Sequence, residues 1–80
     1  MNLEIVTPDS KVYEGEIISI ALPGIDGSFQ ILNNHAPIVS ALGSGKMTVI
    51  DSENKTQEYT INGGVVEMNS NKVIVLAESI

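Results

Sequence analysis

The feature that most constrains this chain is a two-residue alternation of apolar and polar side chains. In NLEIV, Leu3 and Ile5 alternate with Asn2 and Glu4. A period of two places successive side chains on opposite faces of an extended strand. The same period recurs along almost the whole sequence, and no stretch sustains the 3.6-residue period of an amphipathic helix.

The alternating segments are short and punctuated. EIISIALPG puts Ile18, Ile20 and Leu22 on one face, with Ile17, Ser19 and Ala21 on the other. SFQIL reads as a short strand, and IVSAL as another with Ile38, Ser40 and Leu42 sharing a face. Met47 and Val49 alternate in KMTVID, and Gln57, Tyr59 and Ile61 fall together in TQEYTI. VVEM and KVIVLAE read as a hairpin across NSN. TPDSK, Pro23-Gly24, Asp26-Gly27, Gly43-Ser44-Gly45 and SENK read as turns, and Asn62-Gly63-Gly64 as a tight reversal through positive φ. Strands of about five to seven residues between such signals predict an all-β domain, a two-sheet antiparallel β-sandwich of short strands.

Composition narrows the function classes. Eighty residues make one domain, 1–80, with a small core. Tyr13, Phe29 and Tyr59 are its only aromatics, so Ile, Val and Leu must build the interior. The absence of cysteine removes disulfides and thiolate metal sites and fits a reducing compartment. Met1 leads straight into an alternating segment carrying Glu4, which is not the pattern of a signal peptide. No apolar run approaches the ~20 residues that cross a bilayer, so direct bilayer insertion is not expected. The net charge of −6, with Lys11, Lys46, Lys55 and Lys72 scattered, argues against nucleic acid and anionic lipid as ligands.

Catalytic and cofactor patterns fare poorly. Asp26, Ser28 and His35 lie close in sequence, but a nucleophile triad is a matter of geometry, and Asp26 and Ser28 flank Gly27 as turn formers do. One histidine and no cysteine are too few for zinc, and DSENK has Lys55 where a calcium loop needs an acidic ligand and lacks its glycine. GSGKMT has Met47 where a phosphate loop needs Ser or Thr, and a strand pattern follows it instead of a helix. Biotinyl and lipoyl carrier domains, also acidic and all-β, present a modified lysine at a hairpin tip beside methionine. Lys46-Met47 resembles half of that motif, which leaves a carrier with modified Lys46 as the alternative function.

His35, the only histidine, stands between Asn33-Asn34 and Ala36-Pro37. Pro37 fixes its own φ and drives Ala36 toward extended backbone, while the asparagines favour turn geometry. His35 is therefore expected on a stiffened loop between strands, where it anchors the loop or meets another protein.

LPGIDGSFQIL, then NHAPIV, then NGGVVEM and KVIVLAE occur in that order, preceded by LEIVTPDSKVYEGEI. This ordered set, spanning essentially the whole chain, resembles the epsilon-subunit family of the F-type proton-translocating ATP synthase (delta in mitochondria). The resemblance implies a β-sandwich that catalyses nothing, carries no cofactor and serves in the central stalk. It implies two partners, the gamma subunit and the c-subunit ring, and a place on the cytoplasmic face of the bacterial inner membrane. Carried onto this sequence, the ring-contact loops are Asp26, Gly27 and Ser28, and Asn34, His35, Ala36 and Pro37. A sheet face and edge should meet gamma. Gln30 stands where many relatives have glycine, and Asn33-Asn34 where Pro-Gly or Pro-Asn is common. The sequence ends at LAESI, where relatives usually continue into a pair of helices that inhibit ATP hydrolysis and, in some, bind ATP. The expectation is a sandwich domain without either property.

Overall fold

A computed structural model describes all 80 residues. It contains six strands: β1 (Asn2–Val6), β2 (Lys11–Gly24), β3 (Gly27–Leu32), β4 (Ile38–Asp51), β5 (Thr56–Asn69) and β6 (Lys72–Ala77). They form one curled sheet in the order β1-β6-β5-β4-β2-β3, and β1 also pairs with β2. That extra pairing joins β1, β6, β5, β4 and β2 into a closed circuit. The result is a flattened barrel whose two walls are the layers of a sandwich. β3 hangs on β2 alone and is an edge strand.

The all-β sandwich is as the alternation predicts, but two details differ. The strands are not all short, since β2, β4 and β5 each run for 14 residues. Nor are they all antiparallel: β1 runs parallel to β6, with Leu3 opposite Val73 and Ile5 opposite Val75. The long strands serve both layers. The first half of β2 pairs with β1, and its second half pairs with β3 and β4.

Two expected turns are bends inside continuous strands. Gly43-Ser44-Gly45 lies within β4 and Asn62-Gly63-Gly64 within β5, and these segments face each other, with Leu42 opposite Gly64 and Gly45 opposite Ile61. Buried Leu42 and Met47 in β4, like Ile61 and Val66 in β5, are an odd number of residues apart. The inward face therefore switches in both strands at the same place. Glycine permits this: Gly63 and Gly64 have φ of 91° and 148°, and a Cβ on Gly64 would run into the Leu76 carbonyl oxygen. A similar slip in β2, between Ile17 and Ser19 against β4, buries Ile17, Ser19, Ile20 and Leu22 and leaves Ile18 exposed. Ile18 thus does not share a buried face with Ile20 as simple alternation implies.

The core is aliphatic, as the shortage of aromatics requires. Leu3, Ile5, Ile20, Leu22, Ile31 and Val49 are among its fully buried side chains. Each contributes about 1.5–3 kcal/mol relative to exposure. The real turns are fastened by polar groups. Asp51 Oδ1 accepts the backbone N–H groups of Glu53 at 2.9 Å and Lys55 at 3.0 Å, closing the β4–β5 hairpin. Ser70 and Asn71, with φ of 52° and 59°, make the left-handed turn between β5 and β6.

Candidate docking surfaces

The two loops expected to make contact flank β3. Gly27 and Ser28 begin β3, and Gly24 pairs with Gly27 across the tip that carries Ile25 and Asp26. Asn34 to Pro37 follow the other end of β3. The two loops are separated by the six residues of β3, about 20 Å of extended strand. Ser28 and His35 therefore do not converge, and the triad arrangement is not formed. What the geometry does join is an edge: from Gly24 to Pro37 only Pro23's successor Gly24, Phe29 and Ile31 are shielded, and the rest is exposed.

The His35 loop is tied down at successive residues. The Met1 α-ammonium donates to Asn33 Oδ1 at 2.7 Å, and also reaches Glu16 Oε2 at 3.2 Å and the Ile17 carbonyl at 3.3 Å. The Asn34 N–H donates to Asn71 Oδ1 at 2.8 Å, and the His35 N–H to the Leu32 carbonyl at 3.2 Å. Asn34 itself is left-handed, with φ of 61°. The His35 ring bonds locally: Nδ1 lies 2.7 Å from the Ala36 carbonyl, so Nδ1 carries a proton and donates it there. His35 is thus both a local brace and an exposed side chain, so bracing the loop leaves its ring open to solvent.

Lys46 is not at a hairpin tip. It sits within β4 opposite Thr60, and its ammonium lies 3.6 Å from Glu58 Oε1. A lysine in mid-strand lacks the reach that a swinging carrier arm needs, because the glycines before it bend the strand without reversing it.

Sequence reasoning did not locate the apolar surface. Ala41, Val65, Leu76 and Val6 are register neighbours across β4, β5, β6 and β1. In the next row, Val39, Glu67, Ile74 and Glu4 line up in the same way. All point away from the core, and Val39 is 70% exposed, Leu76 53% and Val65 40%. A shallow groove lined by Val6, Pro8 and Leu76 continues the surface toward Glu78. Lys11 borders it, bridging Glu4 at 2.9 Å and Glu14 at 3.0 Å. The Glu4 carboxyl is held below its ordinary range, chiefly by its hydrogen bond with Lys11. A contiguous apolar row on an outer sheet face marks a place for another surface. The signal lay in the second face of strands that also supply the core, and only strand pairing brings its members together.

Residues 1–80 match the family described as "ATP synthase, Delta/Epsilon chain, beta-sandwich domain" over their whole length. The chain belongs to this family. It is 42% identical over 78 residues to the ATP synthase epsilon chain of Chlorobium limicola, covering 98% of this chain and 89% of that one. It is 46% identical over 76 residues to the epsilon chain of Maridesulfovibrio salexigens, where it covers 95% of this chain but 53% of the relative. A chain of the Euglena gracilis mitochondrial ATP synthase, in an assembly of OSCP, F1 and c-ring, superposes with a TM-score of 0.90 at 22% identity, covering 96% of this chain and 49% of that chain. A chain from the central stalk and c-ring of the Tetrahymena thermophila enzyme gives a TM-score of 0.78 at 18% identity, covering 96% of this chain and 62% of its own. At those identities the structures speak for the fold. As an ATP synthase delta/epsilon-type domain, the chain is a non-catalytic component of the rotor stalk, and the carrier reading of Lys46 gives way.

Proposed function

We propose that this domain links the gamma subunit to the c-subunit ring and so supports the coupling of proton flow to ATP synthesis. In a bacterial cell it would work on the cytoplasmic face of the inner membrane, as a peripheral part of the enzyme. The apolar row through Val6, Leu76, Val65 and Ala41 is the gamma-facing surface in this reading. A solvated Leu or Val gains nothing there, whereas burial against a partner removes its surface from water. The edge running from Asp26–Ser28 to Asn34–Pro37 is the ring-facing surface. Its backbone is held by Pro37 and by the bonds to Asn33 and Asn34, so it can transmit force without yielding.

The observation that carries the reading is the adjacency of the two surfaces. Pro37 ends the loop and Val39, two residues on, begins the apolar face. A groove formed by Pro37, Val39, Glu67 and Asn69 joins them. One rigid domain can thus hold gamma on a sheet and the ring on a loop.

Co-purification tests both halves. Leu76→Glu and Val65→Glu place charges in the middle of the apolar row. Each should weaken capture of gamma by at least tenfold, about 1.4 kcal/mol or more, while leaving the domain folded. Bulky replacements at Ser28 or His35 should spare gamma but reduce ring docking and ATP-driven proton pumping. Gamma capture unchanged by the glutamates, or pumping unchanged by the loop variants, would place the respective contact elsewhere.

A further inference from the structure

We infer that Asn71, on the turn between β5 and β6, is a positioning residue for the His35 loop; the inference rests on the ring-contact reading of that loop. Asn71 lies 37 residues from Asn34 in sequence, yet its Oδ1 accepts the Asn34 N–H at 2.8 Å. Its own carbonyl accepts the Asn2 N–H at 3.1 Å, which ties the same residue to β1. Asn71 therefore joins the loop to the start of β1 and the hairpin of β5 and β6.

The physical need for such a clasp is specific. Asn34 holds a left-handed backbone at φ 61°, a conformation that costs a non-glycine residue free energy unless its surroundings select it. The Asn34 N–H has no strand partner, because β3 has ended at Leu32 and β4 has not begun. Asn71 supplies an acceptor for that donor and selects the loop conformation by doing so. The residue type suits both tasks. Asparagine tolerates the φ of 59° that the turn demands, and its amide oxygen reaches across to the loop. The clasp fixes Asn34, and Asn34 precedes His35, so Asn71 sets where His35, Ala36 and Pro37 stand relative to the body.

The turn's backbone and the clasp can be separated by mutation. Asn71→Gly keeps the left-handed turn and the Asn2 hydrogen bond but removes the acceptor. Asn71→Asp keeps an acceptor oxygen. Amide hydrogen exchange on the full 80-residue chain reads the clasp, and ring docking with proton pumping in the assembled enzyme reads its consequence. With Asn71→Gly, Asn34 exchange should accelerate about fivefold to tenfold, as expected for losing one hydrogen bond. Amides in the middle of β5 and β6 should keep their rates, docking should weaken, and Asn71→Asp should restore both properties. Unchanged exchange at Asn34 would overturn the inference by showing that no clasp operates. Accelerated exchange with undiminished docking would overturn it as well. His35 variants then separate the causes: if they still impair docking, only the role of Asn71 falls, and if they do not, the ring-contact reading falls with it.

Discussion

His35 separates the folding of the domain from the ring contact proposed for its loop. Its ring makes one hydrogen bond, to the carbonyl of the next residue, and supports no buried group. His35→Ala should therefore stay within ~0.5 kcal/mol of the parent. Thermal melting should shift by no more than about 4 °C in a domain this small. Failure to fold would show that the histidine anchors the structure. Asp51 is the opposite case, a carboxylate occupied with holding a hairpin. Its pKa is lowered from the ordinary 3.8, first by the Lys55 N–H and then by the Glu53 N–H and the Gln57 amide. A carboxyl whose folded pKa lies below its unfolded one contributes stability that is fully present above the unfolded value. That contribution is lost as the pH falls through the lowered, folded value. Acid titration of stability should thus lose part of its slope below pH ~4 in Asp51→Asn, compared with the parent. Identical acid profiles would separate this carboxylate from acid stability.

The long strands depend on glycines that bend without breaking. Gly64 has no room for a Cβ beside the Leu76 carbonyl, and its φ of 148° disfavours any side chain. Gly64→Ala should cost about 1–3 kcal/mol in urea unfolding. A cost near zero would mean that β5 can bend at this point without a glycine. The same bend in β4 decides the fate of Lys46, which it leaves in mid-strand beside Glu58. Intact mass after expression with biotin or lipoate ligase should show no adduct. An adduct at Lys46 would revive the carrier reading. β3 owes its importance to a different property. As an edge strand bonded on one side only, it leaves its other side unpaired between two exposed loops, the geometry that the proposed ring contact would use.

Closure of the circuit through β1 gives the domain its two outer surfaces. β1 pairs antiparallel with β2 and parallel with β6, and so completes the sheet on which the apolar row lies. Lys11 reinforces this corner by bridging Glu4 on β1 and Glu14 on β2, although such exposed ion pairs contribute little each. Nucleotide recognition finds little to use in this chain. Its four cationic side chains are all lysines, and its elements are all strands, so arginine forks and helix N-termini are missing from these 80 residues. Calorimetry with MgATP should give no saturable isotherm in the micromolar range. A saturable one would point to a phosphate site built from backbone and lysine alone.

Much of this was legible in the sequence because alternation is a local property. The period of two required strands and set Leu3, Ile5, Met47 and Val49, all buried in the fold, apart from their polar neighbours, while Pro37 and the asparagines put His35 on a loop. Ordered motifs carried the family. The sequence reading took two glycine clusters for reversals where the chain only bends, because positive φ serves either outcome. Gly43–Gly45 and Asn62–Gly64 were settled by facing each other across β4 and β5, a pairing visible only in three dimensions. The parallel β1–β6 pairing, the row from Val6 to Ala41 and the clasp from Asn71 to Asn34 share that origin. Each joins residues far apart in sequence, and register between distant strands follows from packing the whole core rather than from the residues of any one segment.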